Sequence, residues 1–449
     1  MPTALVALLC FIGVLIAWTV LVKRSMAEAM FLGFVTVCLF GGTDAFALAV
    51  AGLRSSASDV VVYAAVGFVF MAYLIDQLGI MKRILDLLNS MFGRVRGGPA
   101  YVDTVGSGVM GALAGSNAGN AAATGAVTTP WMIESGFSPK RSATIVAGNS
   151  AMGAALPPSN SMVIMLGFAS GIAASGSVYI ALFVSGIYQL AYRFLLVAYF
   201  ARRDGIERAD PSDIHPLATS WRFGWRSIAV YLGAVIPVAL TVGPIANHLS
   251  ERTAVGDALG SVSIMVWIPT LIIVIACLVG RKNLPRTRSQ GFELVRGAMQ
   301  PLSQIGALLF FAIAASTVFV ELGLAGDVEA VLGAADLPPW LVVVIVSVTL
   351  AVVCGPLTGA PTVATLGQVS LLTLIAAGID PVIAVIVVLM ATSTEGQSPP
   401  ASAPIFIAAA LARTRPQSLF TPLIGYYLLP VLLMTILVGL GVLPVPTGG

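Results

Sequence analysis

GFSPKRSATIVAGNSAMGAALPPS, residues 136–159, and GIDPVIAVIVVLMATSTEGQSPPA, residues 378–401, decide the fold. Each opens on Gly-x-x-Pro and closes on a Pro-Pro pair. Gly136 lies 21 residues before Pro157, Gly378 lies 21 before Pro399, and 242 residues separate the two copies. The same shift lays Gly125 on Gly367 and Ser116-Asn-Ala-Gly-Asn120 on Thr358-Gly-Ala-Pro-Thr362. Isolated Gly or Pro matches arise by chance, but an ordered, gapless set at one offset reads as an internal repeat. Proline removes a backbone donor and pushes the preceding residue out of the helical region. A Pro-Pro pair inside an apolar run therefore predicts an unwound stretch with free carbonyls. Broken helices are expected at about Ser142–Ala173 and Val382–Ala412.

The composition sets the solvent. Of 449 residues, 58% are hydrophobic and 10% charged, with a mean hydropathy of +0.96. Soluble domains carry about 25% charged residues. A soluble enzyme, a disordered chain and a basic nucleic-acid binder are excluded. No HExxH, GxSxG or paired-carboxylate motif supports membrane-embedded catalysis, so no catalytic residue and no prosthetic group are expected. Cys10, Cys38, Cys277 and Cys354 lie in apolar runs without disulfide or zinc spacing. His215 and His248 fall in connecting stretches. What remains is an all-α polytopic membrane protein. A span needs about 20 apolar residues. Full spans read at Thr3–Val22, Ala27–Gly52, Val60–Met81, Val178–Phe200, Ser227–Ala246, Ser261–Gly280, Ala298–Gly323 and Leu419–Leu443. The first has no basic residues before it and is read as a span, not a signal peptide.

Lys and Arg cluster at Lys23–Arg24, Lys82–Arg83, Arg94–Arg96, Lys140–Arg141, Arg202–Arg226, Arg281–Arg296 and Arg413–Arg415, and are absent from Gly326–Pro339. The positive-inside rule places the basic loops in the cytoplasm and both termini outside. By that count the Gly-, Ser- and Asn-rich stretch 101–130 enters and leaves from the cytoplasm, and 341–378 from outside. Irregular backbone at membrane depth survives only against protein or a water-lined cavity. Both stretches read as re-entrant hairpins with opposed openings, in an inverted repeat. The expected organisation is N-terminal scaffold helices at 1–59, a first repeat at 60–200, linking helices at 201–297 and a second repeat at 298–443. This amounts to about ten membrane-crossing helices plus two hairpins. The amphipathic segment Lys82–Arg94 suits a helix lying at the cytoplasmic interface.

Helix breaks supply carbonyls, and Ser, Thr, Asn and Gln side chains supply further oxygens, for a hard cation such as sodium. The candidate sodium ligands are Ser116, Asn117, Asn120, Asn149, Thr358, Thr362, Ser393, Gln397 and Ser398. The half-helices that follow each tip aim positive dipole ends inward, which favours an anionic solute. Candidate substrate contacts are Ser116, Asn117, Asn120, Ser159, Asn160, Thr358 and Thr362. Glu395 is a carboxylate within a span and a functional candidate by default. It is read as a possible coupling group, as a cation ligand or as a proton carrier. Asp103 and Glu134 flank the first hairpin near the interface, where charge is ordinary.

Read in order, Asp76-Gln-Leu-Gly-Ile-Met81, Gly93-Arg-Val-Arg-Gly-Gly98, Ala114-Gly-Ser-Asn117, Gly119-Asn-Ala-Ala-Ala-Thr-Gly125, Pro130-Trp-Met132, Gly136-Phe137 and Leu156-Pro-Pro-Ser159 form a set. With Gly378-Ile-Asp-Pro381 and Ser398-Pro-Pro400, it resembles the large membrane subunit of tripartite ATP-independent periplasmic (TRAP) transporters. The resemblance implies an elevator-type secondary transporter in the bacterial inner membrane, importing organic anions, often carboxylates, with sodium as the coupling ion. It implies two partners, a small four-helix membrane subunit and a soluble periplasmic binding protein. Two full spans before the first repeat are too few for a fused small subunit, which is expected on a separate chain. Glu395 stands where the family pattern is typically uncharged. The rival expectation is a stand-alone carboxylate–sodium or carboxylate–proton symporter that needs no binding protein.

Overall fold

The computed structural model describes residues 3–114, 117–208, 217–241, 263–335, 337–400 and 402–447. Its regular structure is helical throughout, with no strand among the described residues. The first half comprises α1 (Thr3–Ile16), α2 (Met26–Leu39), α3 (Ala45–Ser58), α4 (Val60–Gln77), α5 (Ile80–Phe92), α6 (Gly98–Ala114), α7 (Asn117–Glu134), α8 (Pro139–Ser150), α9 (Met152–Ala155), α10 (Asn160–Phe168) and α11 (Ser175–Arg203). The linking part holds α12 (Leu217–Ile228), α13 (Leu232–Thr241) and α14 (Ile264–Val279). The second half comprises α15 (Arg288–Glu321), α16 (Leu324–Ala335), α17 (Pro339–Leu357), α18 (Gly359–Ala376), α19 (Pro381–Thr392), α20 (Ala403–Leu411) and α21 (Leu429–Gly439). Among the described residues, seven helical stretches are long and apolar enough to cross a membrane, and shorter apolar helices accompany them.

The Gly-x-x-Pro motifs are helix boundaries. Gly136 and Gly378 adopt φ of +102° and +84°, a region that costs any side chain free energy. The motif's third residue then caps the next helix. The Ser138 hydroxyl accepts from the Arg141 N–H at 3.2 Å, and the Asp380 carboxylate accepts from the Val382 N–H at 2.9 Å. Proline follows at the first helical position, where its missing N–H is no loss. Helices 117–134 and 139–150 in the first half match 359–376 and 381–392 in the second, each pair 242 residues apart.

Both apolar runs unwind where the Pro-Pro pairs fall. The first run ends α8 at Ser150, makes the short α9, turns extended at Leu156 and restarts as α10. The second ends α19 at Thr392, makes a 3-10 turn over Ser393–Gln397, turns extended at Ser398 and restarts as α20. Helices α6 and α7 pack along each other, as do α17 and α18, and α20 lies against both α7 and α8.

One expected span is two helices. The run 27–52 breaks between α2 and α3 at Gly41-Gly42, where Gly42 takes φ +57°. An apolar average over the run hides the two glycines. Helix α3 then lies close on α15: the Ser56 hydroxyl donates to the Phe310 carbonyl at 2.6 Å. A Cβ at Gly52 would stand 2.8 Å from the Ala314 carbonyl oxygen. The amphipathic segment is α5, which buries Ile84, Leu85, Leu87 and Leu88 against α6 and α12 and leaves Lys82 and Asp86 exposed.

Candidate functional site

The two broken helices and the facing ends of α6–α7 and α17–α18 meet at a cavity of about 750 Å³. Asn117, Asn160, Ser161, Thr358, Gly359 and Glu395 line its inner wall, and Tyr73, Asp76 and Gln304 of α4 and α15 line the other. Asn117 opens α7, and Gly359 opens α18 directly after Thr358. Thr358 carries φ +71° and ψ 165°, a region ordinarily kept for glycine. Helix α17 has to turn there within one residue, between Pro356 and Pro361.

Glu395 joins the two halves. It rises from the 3-10 turn and is 4% exposed. One carboxylate oxygen, Oε2, accepts from the Asn117 side-chain amide at 2.8 Å and from the Gly359 backbone N–H at 2.8 Å. A Cβ on Gly359 would stand 3.2 Å from that oxygen, so glycine permits this approach.

The other sequence candidates divide by what their polar atoms already hold. Asn117, Asn160, Thr358 and Glu395 share the cavity. Asn120 is a strut behind it, donating to the Ser107 carbonyl at 2.9 Å and the Ser150 carbonyl at 3.0 Å. The Ser159 hydroxyl caps α10, accepting from the Met162 N–H at 3.2 Å. Thr362 donates back to the Thr358 carbonyl at 2.6 Å, and Ser393 to the Met390 carbonyl at 2.7 Å. Ser398 donates to the Thr394 carbonyl at 2.9 Å and the Ala351 carbonyl at 3.1 Å. Ser116 lies outside the described residues.

Asn149 and Gln397 each keep an oxygen in reserve. Asn149 donates to Asp103 at 2.9 Å and to the Thr104 hydroxyl at 3.0 Å, and Gln397 donates to the Gly148 carbonyl at 3.0 Å. Their side-chain carbonyls are buried and take no hydrogen bond from a described residue. Buried polar atoms are rarely left so. These are two neutral oxygens close to the end of α8 at Ser150, acceptors of the kind a small hard cation takes.

Two buried charged groups lie outside the candidate site residues read from the sequence. Asp103, expected where solvation makes charge ordinary, is fully buried, accepting from Thr128 at 2.6 Å and from Asn149. Arg193 sits in the middle of α11 and is fully buried. Its guanidinium donates to the Gln189 side chain at 3.1 Å and to the Gly148 carbonyl at 3.4 Å, and lies 5.9 Å from the Tyr427 ring centre. The signal for Arg193 was present, since an ionisable residue inside an apolar span is a functional candidate by default.

Comparison with known proteins bears on this arrangement. A similar protein from Salmonella typhimurium, an uncharacterised protein called YgiK, is 26% identical over 172 residues, 38% of this chain and 39% of its own length. The C4-dicarboxylate TRAP transporter large permease protein DctM of Pseudomonas aeruginosa is 27% identical over 172 residues, again 38% and 39%. The matched stretch thus spans about two fifths of each relative. The Alcanivorax borkumensis YdaH transporter has the same fold, with a TM-score of 0.64 and 17% identity over 90% of this chain and 89% of that one. The family model of the tripartite ATP-independent periplasmic transporter DctM component matches residues 4–444, and the chain belongs to that family.

Proposed function

We propose that this chain is the membrane permease subunit of a secondary active transporter that imports organic acids by symport with a cation, sodium foremost. The observation that carries this reading is the meeting of the Asn117, Gly359 and Glu395 groups at one cavity between two helix breaks. The unpartnered carbonyls of Asn149 and Gln397 support sodium as co-substrate. The helix bounds 242 residues apart support an inverted repeat, with α6–α10 and α17–α20 as the mobile body of an elevator. The remaining long helices form its scaffold. The Pseudomonas relative, a C4-dicarboxylate permease by name, supports carboxylates as the cargo class. Family membership supports a small membrane subunit and a periplasmic binding protein as partners, an inner-membrane location and, with the charge pattern, periplasmic termini.

The test is the thermal stability of the purified chain in sodium, potassium and choline chloride at equal ionic strength. A ligand of the folded state stabilises by RT ln(1 + [L]/Kd), about 2.7 kcal/mol at a hundredfold excess over Kd. Sodium alone is expected to raise Tm, and Asn117→Ala or Gln397→Ala to reduce that rise. Equal melting in the three salts refutes sodium coupling.

A further inference from the structure

The cavity has a charge of the wrong sign for a simple anion. Among the described residues two carboxylates line it, Asp76 and Glu395, and no Lys, Arg or His side chain does. Asp76 is exposed, on the scaffold wall; Glu395 is buried, on the inner wall. Among the described residues no basic group forms an ion pair with either of them. Among the described residues the ion pair is Arg141–Asp204, away from the cavity. The two donors to Glu395, an amide side chain and a backbone N–H, are neutral and both reach the same oxygen. The second oxygen, Oε1, accepts nothing from a described residue.

Glu395 also occupies the place a carboxylate cargo would seek. The Gly359 N–H at the start of α18 is a ready anion donor. The protein's own carboxylate already takes it. An arriving dianion meets a carboxylate at that wall and no basic side chain of a described residue on the other.

A second wall of the cavity is complementary. Asn160 and Ser161 open α10, a nine-residue helix, and are 6% and 3% exposed. Both line the cavity, and neither side chain makes a hydrogen bond with a described residue. Two unpartnered, buried polar side chains at a helix start suit one carboxylate. The cavity thus offers an anionic wall at Glu395 and a donor wall at Asn160 and Ser161.

We propose that the cargo is a zwitterionic organic acid: its protonated nitrogen pairs with Glu395, and its single carboxylate lies on Asn160 and Ser161. This rests on the reading of the cavity as the cargo site and narrows it, replacing a dicarboxylate with an amino acid in the broad chemical sense.

The experiment follows solute protection of Ala122→Cys, which lines the cavity and makes none of the proposed contacts, in the purified full chain. A neutral methanethiosulfonate labels it, read by peptide mass spectrometry so that the native cysteines do not interfere. The probes are β-alanine, 4-aminobutyrate and 5-aminovalerate, each against the dicarboxylate of matching length: succinate, glutarate and adipate. At least one amino acid is expected to protect at a concentration about tenfold below its matched dicarboxylate, since like-charge juxtaposition is strongly disfavoured. Adding Glu395→Gln, which keeps an acceptor oxygen for Asn117 and Gly359, is expected to erase that preference. Dicarboxylates protecting as well as amino acids, or a preference untouched by Glu395→Gln, overturns the cargo class and leaves the cavity as cargo site. No protection by any of the probes overturns both. Where the variants do not fold, the same series on the unmutated chain decides by Tm: amino acids raise it under the proposal, and a rise with dicarboxylates alone, or with neither, overturns it.

Discussion

Gly148→Ala tests close packing between a helix and a buried ring beside the first helix break. A Cβ at position 148 would stand 2.5 Å from Tyr427 Cζ, inside the ring's van der Waals envelope. The ring is fully buried and has no room to withdraw. Overpacking of this kind costs about 1–3 kcal/mol. Against it, alanine in place of glycine in a helix interior gains about 0.5–1 kcal/mol. The net expected loss is about 0–2.5 kcal/mol. Tyr427→Leu alone opens a void and costs about 2–4 kcal/mol. In the double variant the new methyl enters that void, so the two losses do not add. A double-mutant cycle on denaturant unfolding in detergent should give a favourable coupling of about 1 kcal/mol or more. Additivity to within about 0.5 kcal/mol would show that the ring and the glycine do not share the space, and would refute the reasoning.

Other expectations concern the caps, the second tip and the buried carboxylate. Ser138→Ala and Asp380→Ala each remove a helix cap and should each cost about 0.5–2 kcal/mol, with the effects additive in chemical denaturation. Thr358→Gly relieves a backbone angle that suits glycine, and should raise stability by about 1 kcal/mol in the same assay; a loss would place Thr358 in a contact worth more than its strain. Asp103→Asn keeps the acceptor for Thr128 but sets an amide against the donor of Asn149. Asn149 has a free carbonyl to offer instead, so turning its amide around should confine the loss to about 1–2 kcal/mol, whereas Asp103→Leu leaves no acceptor and should cost more. Equal losses for the two Asp103 variants would mean that the hydrogen bonds contribute little.

The helix boundaries were legible because their causes are local. Gly136, Ser138 and Pro139 act within one turn, as do Gly378, Asp380 and Pro381, and the Pro-Pro pairs break the helix wherever it packs. The Gly41-Gly42 break was missed because two glycines barely lower the hydropathy of a long apolar run. Site assignment was legible only in outline. A Ser or Thr in a helix can return its hydroxyl to the preceding turn, and Thr362, Ser393 and Ser398 do so. Nothing at their own positions distinguishes them from Asn160 or Ser161, which face open space. The burial of Asp103 was not legible because it comes from α7 and α8, separated from it in sequence.

The sharing of one carboxylate oxygen by Asn117 and Gly359 has a thermodynamic consequence. The donors belong to opposite halves of the chain, and the acceptor is held in the second. Anything that draws Glu395 away from Asn117 also changes its hold on Gly359. A ligand that bound at one tip would therefore alter the free energy of binding at the other, and that linkage would be reciprocal by necessity. Coupling between two sites can thus be built from a single oxygen atom, with no signal crossing the fold.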